Sequence, residues 1–149
     1  MGCRIVVPDV VVLPLSDGDS LTVKARLNSG EHREMIRGGV SYGPDGDRTF
    51  DPLRGALAKI LAYLVDWTFR GPDGRVVLIR DQGAAVVTEA LAMIDPDSYT
   101  EVLRAIEAHE TAQEADRAAK KKTPDGSPTL LETSRSLVAA GGGMSGSST

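Results

Sequence analysis

Two Asp-Pro pairs, Asp51-Pro52 and Asp95-Pro96, fix where the longer helices of this chain begin. Proline at the first helical position gives up an N–H that has no partner there, and the aspartate before it can accept from the free N–H groups of the first turn. Behind the first pair, Leu53, Leu57, Ile60, Leu61 and Leu64 recur at steps of three and four. That spacing predicts a helix over about 52–66 with one apolar stripe turned inward. Ala84, Val87, Leu91 and Ile94 predict a second helix over 84–94 in the same way. Behind the second Asp-Pro pair, Tyr99, Val102, Leu103 and Ile106 predict a third over 96–121. Beyond Ala108 the run HETAQEADRAAKKK has alanine as its only apolar residue type. This half is expected to stand in solvent on helix propensity, with Lys120, Lys121 and Lys122 favouring the negative helix end.

The amino-terminal part has the other periodicity. Leu21, Val23, Ala25 and Leu27 alternate with polar residues after the turn residues Ser16-Asp17-Gly18-Asp19 and the Val-rich run before them, which predicts a β-hairpin over 5–27 with one wet face. Pro8 and Pro14 cannot donate to a ladder, so the first strand is expected to be short or to lie at an edge. Asn28 with Glu31 three residues later reads as a helix start, giving a short helix over 29–37 that Gly38-Gly39 ends. Residues 42–47 read as a loop, and 75–79 as a short extended segment after the Pro72-Asp73-Gly74 turn. Trp67 is expected to bury its ring, with Asp66 capping or pairing beside it. The fold class that follows is α+β, mainly α: a β-hairpin, then a small helical domain, the whole occupying residues 1–122. At 149 residues the chain suits one domain with a single core, and its Pro-, Gly-, Ser- and Thr-rich residues 123–149 read as a disordered tail.

The same residues exclude several kinds of function. A net charge of -4 offers no general attraction for a phosphate backbone, so nucleic acid is not an expected partner. A single cysteine, Cys3, leaves no internal disulfide and suits a reducing cytoplasm. The apolar runs are far shorter than a membrane span needs, so no membrane is expected either. His32 and His109 lack ligand partners at helical spacing, and both read as exposed. The Asp-Gly pairs lack the spacing of a calcium loop, and no glycine cluster sits between a strand and a helix as a phosphate loop requires. No catalytic residue, metal or cofactor is expected, and the chain reads as an interaction protein.

Three stretches carry a further signal: VLPLSDGDSLTVK at 12–24 followed by LNSGE at 27–31, YLVDWTF at 63–69 with PDG at 72–74, and IDPDSY at 94–99 leading to IEAH at 106–109. Together they resemble the small proteins of long-tailed bacteriophages that are encoded near the tail tube and the tape measure and are regarded as tail assembly chaperones. The resemblance spans about residues 10–122. It implies a non-catalytic protein of the host cytoplasm, absent from the mature virion. Its partners would be the tape measure protein and the tail tube protein, and a longer product could arise by frameshifting near the end. The residues expected to contact a partner are those of the polar arm, Glu110 and Lys120 to Lys122, with Leu130, Leu131, Leu137 and Val138 beyond it. The rival readings are a structural virion component such as a small head-tail connector, and a regulator that meets nucleic acid through Lys120 to Lys122.

Overall fold

The computed structural model describes residues 3–122, the side chain of Lys122 excepted. Among them are four α-helices and five strands, a mainly-α α+β fold that opens on a strand hairpin. The chain divides into two units, Met1–Glu110 and Thr111–Thr149, and every residue of the hydrophobic core belongs to the first.

Strands β1 (Val10–Pro14) and β2 (Ser20–Lys24) pair antiparallel across a tight turn. In that turn Asp17 and Gly18 take φ of 57° and 78°, a left-handed conformation that aspartate and glycine tolerate best. Period two holds on β2: Leu21 and Val23 are fully buried, while Thr22 and Lys24 are only half so. The strands are shorter than the 5–27 span of the sequence pattern. Residues 5–8 lie outside the ladder, and Pro14, which has no N–H to donate, is the last residue of an edge strand.

Asn28 opens α1 (Ser29–Gly38) with a complete capping box. The Glu31 N–H donates to Asn28 Oδ1 at 2.8 Å and the Asn28 N–H donates to Glu31 Oε1 at 3.1 Å. Glu31 also pairs with Lys24, joining α1 to β2. Burial pushes the Glu31 carboxyl up, but the bonds from the Lys24 ammonium and the Asn28 N–H together outweigh it and hold the group below its ordinary value. A depressed carboxyl stabilises the fold above its unfolded pKa, and that contribution is lost as the pH falls through the folded value. Asn28→Ala removes one half of the box and is expected to lower stability by about 1 kcal/mol in urea denaturation, with an unchanged denaturant slope.

Helix α2 (Pro52–Tyr63) starts as the Asp-Pro pair predicts, with Asp51 Oδ1 accepting from the N–H groups of Leu53 and Arg54 at 3.0 and 3.4 Å. Its end differs from the predicted 66. The chain leaves the helix after Tyr63 and becomes β5 (Leu64–Trp67), which lies against β2 to complete a sheet of order β1-β2-β5. Leu64 opposes Val23, whereas Asp66 opposes Thr22, so Val65 is an extra residue on β5. This bulge turns both Leu64 and Trp67 into the core, although residues three apart on a regular strand face opposite ways. A bulged strand thereby imitates a helical stripe. Leu53 is the second correction: it lies in the first turn of α2, ahead of the half-buried Leu57 and fully buried Ile60, and is 82% exposed.

Of the expected loop 42–47, residues 43–47 do form one, while Tyr42 ends a strand: the loop joins two short strands, β3 (Val40–Tyr42) and β4 (Arg48–Phe50), that the sequence did not announce. The Phe50 ring rests on Gly39 and Gly55, where an added Cβ would come within 2.9 and 2.7 Å of it. Helices α1 and α2 meet closely enough that a Cβ on Gly38 would lie 2.7 Å from the Ala58 methyl. Helix α3 (Ala84–Met93) buries Val87, Ala90 and Leu91, and α4 (Pro96–Lys122) buries Val102 and Ile106. The core is thus mostly aliphatic, closed by Tyr63 and Trp67.

Candidate functional site: an apolar cleft with an acidic lip

Trp67 ends β5 with its ring 3% exposed and its Nε1–H donating to the Val77 carbonyl at 2.8 Å. The Phe69 ring lies tilted against it, centroids 5.0 Å apart. Beyond Phe69 the chain makes a narrow ribbon: Arg70 bridges Val76, and the turn at Pro72-Asp73-Gly74 closes with Gly74 at φ 77°. The Val77 N–H donates to the Phe69 carbonyl at 2.9 Å, and the Arg70 guanidinium donates to the Gly74 carbonyl at 2.9 Å. Residues 75–79, read from the sequence as extended, are therefore held by one bridge and by the tryptophan rather than by a full strand.

This ribbon forms one wall of a cleft of about 630 Å³. The other walls are the turn at Asp17 and Asp19 and the junction of α3 with α4. Its larger apolar lining residues are Trp67, Phe69, Pro72, Val77, Met93 and Ile94. Met93 ends α3 with 80% of its surface exposed, an unbranched side chain that adapts to irregular apolar partners.

Three carboxylates, Asp17, Asp19 and Asp95, share the cleft with one guanidinium, Arg70. Each is positioned by local chemistry. The Thr68 hydroxyl donates to Asp19 at 2.8 Å, and the Ser16 hydroxyl donates to Glu101 of α4 at 2.9 Å, which ties the Asp17 turn down. Asp95 caps α4, accepting from the Ser98 N–H at 2.9 Å and the Ser98 hydroxyl at 2.6 Å. Those bonds, the hydroxyl first and then the N–H, hold the Asp95 carboxyl below its usual range. The cleft therefore offers apolar contact beside fixed negative charge.

A larger cleft of about 790 Å³ runs along α1, α2 and the end of β2 at Lys24. Its charges are largely matched with one another, Lys24 with Glu31 and Arg37 with Glu34, and much of its remaining lining is small: Gly30, Gly38, Ala58, Ala62 and Ala84. Met35 and Leu61 are its larger apolar residues and it has no aromatic ring, so the cleft at Trp67, with two, is the stronger candidate. Among the described residues no three His, Cys, Asp or Glu side chains group as metal ligands, and no helix is long and apolar enough to cross a membrane.

Of the residues expected to contact a partner, Glu110 is not exposed. Its side chain is 21% exposed and pairs with Lys59 of α2 at 3.0 Å, with the Tyr63 hydroxyl at 3.5 Å. The preceding His109 is likewise half-buried, its Nε2 lying 3.1 and 3.2 Å from the carbonyls of Lys24 and Ala25 and its ring edge-on to Tyr63. The inward stripe of α4 thus continues past Ala108 in polar residues that a search for apolar spacing passes over. Lys120 and Lys121 are exposed, with Lys120 paired to Asp116 one turn back at 3.0 Å. The Lys122 side chain, Leu130, Leu131, Leu137, Val138 and the rest of the tail lie outside the described residues. Sequence reasoning missed Met93, Asp17, Asp19 and Asp95 as a group. Met93 carried a signal, being a large apolar residue off the stripe of Val87, Leu91 and Ile94.

No protein-family model, curated protein or solved structure matches this chain.

Proposed function

We propose that this chain is a tail assembly chaperone of a long-tailed bacteriophage, a non-catalytic protein that holds apolar helical segments of the tape measure protein in the host cytoplasm until tail tube subunits replace it. The cleft at Trp67 is the observation that carries the reading beyond the resemblance of residues 10–122. An amphipathic helix laid into an apolar groove is a common mode of reversible recognition, and an exposed methionine on the rim lets one surface accept varied side chains. Burying one leucine or phenylalanine there contributes about 1.5–3 kcal/mol. Two or three such side chains, about 3–9 kcal/mol together, match only the lower part of an association cost of about 4–15 kcal/mol. Weak, releasable binding follows, which is what a protein displaced by tube subunits needs.

Co-expression of the full chain with the tape measure protein of the same phage tests this. The two are expected to elute together and the tape measure protein to stay soluble, with less recovered when Met93 is replaced by serine. No co-elution at micromolar concentration overturns the reading. Mass spectrometry of purified particles separates it from the connector alternative, since a connector is present at stoichiometric copy number and a chaperone is absent.

A further inference from the structure

The three carboxylates of the cleft come from two distant parts of the chain, the turn before β2 and the cap of α4, yet they line one site. Arg70, the guanidinium beside them, donates to the Gly74 carbonyl and keeps its charge, so the lining side chains carry two net negative charges. Helix α3 ends at this cleft through Ala90 and Met93 and α4 begins there at Asp95 and Ser98, so the partial charges of the two helix ends oppose each other and the negative lip rests on the carboxylates. An apolar floor beside a negative lip favours a ligand that presents apolar and cationic groups side by side.

We infer that the cleft takes an amphipathic helix whose apolar stripe is bordered by Lys or Arg, the stripe lying on Met93, Trp67 and Phe69 and the cations meeting Asp17, Asp19 and Asp95. A volume of about 630 Å³ accepts several side chains. An amphipathic helix delivers them at steps of three and four from one stripe, with the bordering cations one position away. This rests on the reading of the cleft as a holding site and adds the charge of what is held. Each exposed ion pair contributes little, so the three together set a preference of about tenfold at low salt rather than an absolute choice.

The full chain is titrated into two labelled synthetic helices of one pattern, leucine with lysine and leucine with glutamate. The leucine–lysine helix is expected to bind about tenfold more tightly, with the difference shrinking as salt is added. The triple variant Asp17→Asn, Asp19→Asn, Asp95→Asn is expected to abolish the preference. Asparagine tolerates the left-handed backbone at 17, keeps an acceptor for Thr68 at 19 and caps a helix at 95. A control, Asp45→Asn, Asp47→Asn, Glu107→Gln, removes the same charge from exposed positions outside the cleft lining and is expected to keep the preference.

If the control loses the preference equally, the attraction belongs to the net charge of the molecule and the inference is overturned. Equal affinity for both helices, weakened alike by Met93→Ser, also overturns it but leaves the holding site standing. Binding of neither helix overturns the inference and leaves the chaperone reading to the co-elution result. Self-association in sedimentation that Met93→Ser abolishes makes a second copy the occupant, which overturns it too.

Discussion

Trp67→Ala is expected to cost about 3–5 kcal/mol of stability and to open the floor of the cleft in the same step. Trp67 is 3% exposed, sits opposite Leu21 in the sheet, packs its ring at a tilt against Phe69 and anchors the 70–79 ribbon through its bond to the Val77 carbonyl. Removing it deletes packing on the core side and the only side-chain tether that holds Val77 in place among the described contacts of that ring. Urea denaturation followed by far-ultraviolet circular dichroism reads the loss, since the variant no longer has tryptophan fluorescence. Trp67→Phe separates the two roles. It keeps most of the apolar contact but loses the N–H, and because Val77 is 37% exposed its carbonyl can turn to water. A cost of about 1 kcal/mol is expected for the bond, plus a smaller packing term. A Trp67→Phe loss as large as the alanine loss refutes the assignment of most of the energy to packing.

What the sequence made legible was whatever a few neighbouring residues decide. The Asn28–Glu31 box, the caps at Asp51 and Asp95 and the Asp17-Gly18 turn each depend on groups within four residues, and each is present as the pattern predicts. Strand β5 was not legible, because the bulge at Val65 gives Leu64 and Trp67 a helix-like spacing, and only pairing with β2 across more than forty residues of chain decides between the two. Leu53 failed for a related reason: periodicity shows which face a residue shares, not how far along the helix the covering partner extends. The cleft is the least legible feature. Asp17 reads as a turn residue and Asp95 as a cap, and both are. Their shared site depends on contacts far apart in sequence, Ser16 with Glu101 of α4 and Thr68 with Asp19, that no local pattern shows.

Along α4 the cost of substitution is expected to fall in steps, and the steps locate where the helix stops depending on the core. Ile106 is fully buried, and Ile106→Ala is expected to cost about 2–5 kcal/mol through lost transfer energy and the void left among Val102, Tyr63 and their neighbours. Four residues on, Glu110 faces the same way but with a carboxylate, about four-fifths shielded and bonded to Lys59. Glu110→Ala leaves that ammonium partly buried without its partner, at a cost of about 1–3 kcal/mol. Glu110→Gln, which keeps an acceptor, is expected to cost less. From Thr111 to Lys121 every position but Gln113 is exposed, and the Asp116–Lys120 pair is a surface pair one turn apart, so Asp116→Ala is expected to change stability by less than about 0.5 kcal/mol. Urea midpoints for the four variants test the gradient. A Glu110→Ala cost no larger than that of Asp116→Ala places the end of the core-dependent helix before Glu110 and removes the Lys59–Glu110 pair from what holds α4 against α2.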